Sequence, residues 1–569
     1  MNPRRRILTT LLVAAAAATA TAQLSLNGIP ALNDGDSGRM LAAVRQDAFG
    51  KPYTATVTVD PDSAWTDLRI DSQDCNTPIL LDPLDGTTPH LVTARRADGT
   101  TVADTLTFTF LPILAIHSEL SMDYRPARFM LIDPDSARAD TFVGRNKWRG
   151  SSTLADDRHK RNFHFKITDD DGVKVDRKLC GLRNDNSWIL DAGQIDLSRI
   201  RNLVANELWL DFAEPPYYGD KEPKARTAMR GKLIELFVNG RYEGVYTLFE
   251  PIDRKQLNLK KFDEQTGTFH GMLWKGMRYD KVTTFSESPA YDNGSNTWGG
   301  FDLKYPDEVL PTDWSTIYGA VRLAAIIGDT RFKTIAGQYY DLNAMRDYAL
   351  LTTVLLCIDN SSKNMFWACY DQAEDIRITP IIWDADCSVG QNWTNDPFRD
   401  QTIVGPEVKF KIYNTAFSRV RLHVDGFADG LTQCYRALRQ TKFHTDSLIA
   451  RYHSHIDRII ACGAARREDA RWGGDSDVGG HRLDFEAEKA YIADWLTRRL
   501  DYLDNNDFAD SPVENTVADR LTPAVVSRDG RTYVNTDAGV YDIGGRRYPP
   551  GATLPPGCYI TPQGKILVR

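Results

Sequence analysis

At 569 residues the chain is too long for one hydrophobic core, and a rate of about one domain per 150 residues gives roughly three or four units. Its 42% hydrophobic and 26% charged residues are those of ordinary globular material. A net charge of -8 argues against a general nucleic-acid binder, which needs clustered Lys and Arg, and the ten scattered histidines form no HExxH pattern.

The chain opens with a targeting segment over residues 1–22. Arg4, Arg5 and Arg6 precede an apolar run over 7–18, and Ala20-Thr21-Ala22 supplies small residues for cleavage before Gln23. The run is too short to span a bilayer comfortably, and no cysteine stands at the cleavage point to carry a lipid. The expectation is a secreted, periplasmic or cell-surface protein without a membrane span. Eight spread-out cysteines in a chain of this size do not make a disulfide scaffold, and none forms a CxxC pair, which speaks against a zinc site.

Residues 23–114 read as short strands. Thr54 to Val59 alternates, Thr101 to Leu111 is β-rich, and Asp60-Pro61-Asp62 and Asp85-Gly86 mark turns. This pattern predicts an Ig-like β-sandwich, a spacer or binding unit rather than a catalytic one. Residues 115–508 begin with strands and end in helices, which predicts an α+β domain. The run Lys232 to Glu250 is a hairpin with its turn at Asn239-Gly240. Asp341 caps a helix from Leu342 to about Cys357. A loop, Asp359-Asn360-Ser361-Ser362-Lys363-Asn364, follows, and then a hairpin through Ile382 that ends in Trp383-Asp384-Ala385-Asp386. Leu448, Tyr452, Ile456, Ile459 and Ile460 recur at helical spacing, as do Ile492, Trp495, Leu496, Leu500 and Leu503. Residues 509–520 form a polar linker, and 521–569 turn strand-like again.

The chemistry concentrates between 341 and 390. Protein kinases place a catalytic Asp five residues before an Asn, and Asp359 and Asn364 have that spacing. Phosphoryl transfer needs a carboxylate to receive a hydroxyl proton and hard oxygen ligands for Mg²⁺, and Asp384 and Asp386 arrive where the later metal ligand is required. Acidic residues at element ends are also common on surfaces, and Asp384-Ala385-Asp386 equally suits a glycosyltransferase metal site.

Several motifs together resemble the CotH (spore coat protein H) kinase family. They are VNGRYEGVYTLFEPID at 238–253, CIDNSSKN at 357–364, IIWDADCSVG at 381–390, Arg149-Gly150-Ser151-Ser152 before Lys160-Arg161, and Gly271-Met272-Leu273-Trp274-Lys275. The resemblance implies an atypical protein-kinase-like central domain flanked by the two β domains. It also implies ATP with Mg²⁺ or Mn²⁺, and phosphorylation of hydroxyls on an acceptor protein or on the chain itself. It assigns Asp359 as the catalytic aspartate, and Asn364 and Asp384 as metal ligands with Asp386 as a second acid. Arg149, Gly150, Ser151 and Ser152 fall near the phosphates, and Lys160 is the phosphate-contacting lysine with Lys166 as its competitor. Glu207 is the acid that would pair that lysine. Glu250 falls at the adenine-holding hinge, with a salt-bridged surface glutamate as the alternative. Cys357-Ile358 in place of His-Arg, Ala385-Asp386 in place of Phe-Gly, and the missing A-P-E segment depart from ordinary kinases.

Val540 to Tyr548, Gly557 to Ile560 and Lys565 to Val568 resemble C-terminal sorting domains of Bacteroidetes-type secreted proteins, with an ordinary small β domain as the alternative. Two other functions stay open at this point. A non-catalytic surface binder of glycan or host protein is motivated by export, the β-module, the aromatic Trp298-Gly299-Gly300-Phe301 and the scarcity of extracellular ATP. A metal-dependent glycosyltransferase is motivated by Asp384-Ala385-Asp386.

Overall fold

The computed structural model describes residues 24–60, 65–96, 98–150, 152–392 and 414–509. In the C-terminal part it describes 525–528, 531–534, 540–542, 546–561 and 564–568. The expected signal segment and its cleavage site, Ser151 and residues 510–520 of the expected linker lie outside them. The described residues fall into two compact units, one ending at Tyr502 and the other Leu503–Arg569. The first contains both helices and sheets, an α+β architecture. No helix among the described residues is long and apolar enough to cross a membrane.

The N-terminal module pairs an eight-stranded sheet with a two-stranded one, which fits a β-sandwich. Leu24, Met40, Ile70, Ile79, Leu106 and Phe108 meet in its core because alternate residues of each strand face inward. The module also shares a core with the central region. Leu32, Leu41 and Ala43 pack with Ile113, Ala115, Ile132, Phe237 and Tyr242. Buried apolar area of this kind holds the two as one body.

Seven strands then close a barrel, in the order Ile113–Ser118, Arg125–Asp133, Arg138–Arg149, Asn162–Thr168, Ser187–Asp191, Arg241–Phe249 and Gly231–Val238. Closure comes from the parallel pairing of Ile113–Ile116 with Glu235–Val238. Phe129, Phe142, Phe165, Trp188, Leu190 and Tyr246 fill the interior. The Asn239-Gly240 turn has φ of 51° and 78°, the left-handed conformation a two-residue hairpin loop requires.

Past the barrel an antiparallel five-stranded sheet runs in the order Thr297–Trp298, Phe301–Tyr305, Met272–Gly276, Met365–Cys369, Thr379–Ile382. Helices cover it. Asp341 caps Leu342–Val354 by accepting from the Ala344 amide, as the sequence predicts. That helix stops three residues earlier than the pattern suggests, because Leu356 turns to φ 50° and swings the chain into the 357–364 loop. In the second unit the described residues from 525 onward form a three-stranded and a four-stranded sheet around Val534, Val540, Leu554, Tyr559 and Val568.

Candidate active site

Asp359 and Asn364 meet. Asn364 Nδ2 donates to Asp359 Oδ2 at 2.8 Å, and Lys363 Nζ reaches the same oxygen at 3.2 Å. The loop can fold back so tightly because Asn364 adopts φ 56°, which Asn tolerates better than most residues. Asn360 then ties the loop to the neighbouring strand end: its Nδ2 donates to the carbonyls of Asn364 at 2.8 Å and Trp383 at 2.6 Å. This bond brings Asp384, itself at φ 57°, beside the Asp359 loop.

A third acid joins from the barrel. Asp191 ends the strand Ser187–Asp191, and Asn202 holds it with Nδ2 at 2.6 Å while Asn202 Oδ1 accepts from the Ala385 amide at 3.1 Å. One side chain in the first turn of the helix Arg201–Phe212 therefore links the barrel acid to the Asp384–Asp386 turn. Arg201, wholly buried, anchors the rest of that turn by donating to the carbonyls of Ser388 and Val389 while pairing with Asp196 at 2.6 Å and Glu488 at 2.7 Å.

The electrostatics follow from this crowding. Burial, then the charges of Asp384, Asp191 and Asp196, push the Asp386 carboxyl well above its usual range. Burial and Asp384 likewise raise Asp191 against the pull of Asn202 and Arg149. On the other side stand two cations. The Arg149 guanidinium lies 5.2 Å from the centre of the Trp383 ring and Lys275 Nζ lies 4.9 Å from it. Among the described residues neither makes an ion pair, and burial with the nearby Arg149 charge lowers Lys275 to about 8. Asp384 acts on both cations and Asp191 on Arg149, so acids and cations face each other here; carboxylate oxygens are the hard ligands a divalent metal takes alongside phosphate. Gly150, at φ 130°, continues from Arg149 into the turn Ser152–Leu154, and a Cβ there would collide with Thr153. Of Ser152 only the backbone is described.

Other residues singled out by the sequence lie elsewhere. Lys160 is fully buried, with Nζ spent on Glu468 Oε1 at 2.8 Å and the Val245 carbonyl at 2.6 Å. The lysine beside Asp384 is Lys275. Glu207 pairs with His455 at 2.8 Å and not with Lys160. Lys166 sits on the outer barrel face over Tyr124. Glu250 is buried at the hairpin exit, accepting from the Arg183 amide at 2.6 Å, with Oε2 unpartnered among the described residues. A cavity of about 1090 Å³ bordered by Trp209, Pro215 and Arg230 contains none of the clustered acids.

Asp191, Asn202 and Lys275 received no role from the sequence. Asp191 carries the same signal as Asp384, an acid at the exit of an apolar run (Trp188-Ile189-Leu190). Separately, His159, Asp475 and Asp477 are the one trio of His, Cys, Asp or Glu among the described residues with ligand atoms all within 4.8 Å, a spacing that could hold a cation.

A family model described as CotH kinase protein matches residues 147–503, more than half of the chain. No curated protein matches the sequence.

Proposed function

Because the chain belongs to the CotH kinase protein family, we propose that it is an atypical kinase, exported by its signal segment, that transfers the γ-phosphoryl group of ATP to protein hydroxyls. The observation that carries this reading is the Asn360 bond pair, which holds the Asp359–Asn364 couple against Asp384. We assign the C-terminal unit to sorting on its sequence resemblance.

The residues divide the work. Asp359 is oriented through Oδ2 by Asn364 and Lys363, and Oδ1 is the oxygen assigned to the acceptor hydroxyl. Asn364 spends its amide nitrogen on Asp359, leaving its carbonyl oxygen to join Asp384 and Asp386 as metal ligands. Asp191 adds charge behind them. A divalent metal, when bound, neutralises charge on the phosphate oxygens. Arg149 and Lys275 face the remaining phosphate charge, with Gly150 next to Arg149. Glu250 Oε2 is assigned to the adenine amino group. In the transfer the bond from the γ-phosphorus to the ADP oxygen breaks, a bond to the acceptor oxygen forms, and the hydroxyl proton passes to Asp359.

The test is incubation of the purified chain with γ-labelled ATP and Mg²⁺ or Mn²⁺. Label should enter the chain or an added protein. A nucleotide panel run alongside should show metal-dependent ATP binding. Binding of sugar nucleotides but not ATP would replace this reading with a glycosyltransferase. No nucleotide binding at all would leave a surface binder.

A further inference from the structure

The outer face of the barrel carries a row of cations that leads into the site. Along Arg138–Arg149 the residues Phe142 and Trp148 turn to the barrel core, so Arg145, Lys147 and Arg149 share the opposite face. The neighbouring strand adds to the row. Arg145 stands directly across from Lys166, and Lys147 across from His164. Like charges directly opposite each other in a sheet are destabilising. Such pairs persist where function requires them at some expense to stability.

Among the described residues Arg145, Lys147 and Lys166 make no ion pair, although acidic residues outnumber basic ones in the chain, 77 to 69. The three instead surround the Tyr124 ring, at 5.7, 4.7 and 5.1 Å from its centre. Asp307, in the loop after the strand Phe301–Tyr305, is a carboxylate whose charge acts on Lys166 without pairing with it. His164 fixes the platform: its Nδ1 lies 2.6 Å from Tyr124 Oη and its Nε2 lies 2.9 Å from Ser187 Oγ. Burial, reinforced by Arg149, Lys166 and Lys147, lowers His164 to about 3, so the ring stays neutral and adds no charge of its own. The row ends at Arg149, over Trp383 and next to Asp384.

We propose that Arg145, Lys147 and Lys166 dock the phosphate acceptor, an extended acidic polypeptide segment whose alternate carboxylates meet this row while its hydroxyl reaches Asp359. Alternate residues of an extended chain repeat at about 7 Å, the same interval as side chains on one face of a strand. That match favours a polypeptide over a compact anion. The proposal rests on the kinase reading for the fate of the hydroxyl, but docking itself does not need transfer.

The experiment measures both with the full chain. Anisotropy of a labelled peptide alternating Glu with Ser, and of its Lys-for-Glu counterpart, reports docking without any chemistry. The acidic peptide should bind, weaken with added salt, and weaken about tenfold or more in Arg145→Glu and Lys147→Glu. In transfer assays these variants should raise KM for the acidic peptide, with ATP affinity unchanged. The milder Lys147→Gln should fall between. Equal affinity for the two peptides, or charge reversals that leave KM untouched, would overturn the proposal even if transfer occurs. Charge reversals that lower ATP affinity instead would assign the row to the nucleotide and also overturn it. Acidic-peptide binding in a protein that transfers no phosphate would uphold the docking row and sink the kinase reading alone.

Discussion

Lys160 and Glu468 stand 308 positions apart in the chain and bury their opposite charges against each other at 2.8 Å, both wholly shielded from water. Arg199 shares the same carboxylate oxygen at 2.7 Å, and the Val245 amide takes the other at 2.6 Å. Burial alone would raise Glu468; Lys160 and Arg199 reverse this and hold it below its usual range. Gly244 makes room, because a Cβ there would run into the Glu468 carboxylate. Removing one partner of such a network leaves charge buried with less compensation, which costs about 3–5 kcal/mol. Lys160→Met should therefore lower the denaturation midpoint strongly. Lys275→Ala should leave stability nearly intact and weaken ATP binding. Calorimetric unfolding with ATP titration of both variants checks this, and the opposite pattern would return the phosphate-contacting role to Lys160.

Asp359→Asn keeps the shape of the loop and removes the proton acceptor. Phosphate incorporation should fall by at least about 10²-fold, with metal-dependent ATP affinity retained. Single-turnover transfer and equilibrium ATP binding, measured on the same preparation, separate the two. Undiminished transfer by a folded variant would remove Asp359 from the chemistry.

Asp384, Asp386 and Asp191 repel one another when no cation is present. Asp384→Ala should abolish metal-dependent nucleotide binding, and Asp386→Ala should weaken it less. Asp386→Asn, which relieves repulsion without opening a cavity, should raise Tm in chelator by on the order of 2 °C while still lowering metal affinity. Unchanged Tm and unchanged metal affinity in Asp386→Asn would place that carboxylate outside the site.

His164 gives the fold an acid-sensitive element. Its folded value is lowered to about 3 by burial and the surrounding cations, against 6.5 for the ordinary side chain. Between those values the unfolded chain binds the proton and the folded chain does not. Stability is thus fully expressed above pH 6.5 and declines as pH falls toward 3, by up to about 1.4 kcal/mol per pH unit from this group. Urea unfolding between pH 7 and 4 should show a shallower loss in His164→Gln than in wild type. Parallel pH dependences would mean that His164 takes up its proton without unfolding.

Much of this protein is written in local sequence. The Asn239-Gly240 turn, the Asp341 cap and the apolar periodicity of Thr445–Ala461 are short-range effects, and each appears where its residues dictate. The Asp359-to-Asn364 interval and the Asp384 strand exit are equally local, so the carboxylates of the central motif were legible without coordinates. Partners drawn from distant segments were not. Asp191 meets the 384–386 turn only because Asn202 bridges them, and Lys275 faces Trp383 only because Met272–Gly276 pairs beside Met365–Cys369 in the sheet. Lys160 and Lys275 look alike as letters, each a lysine beside an apolar run. Which one is buried against Glu468 and which one stands beside Asp384 is decided by the closure of the barrel and the packing of the helix Ala464–Trp472 against it. A side chain's charge environment is a sum over neighbours in space, and the neighbours that decide it for Lys160 and Lys275 lie far away along the chain.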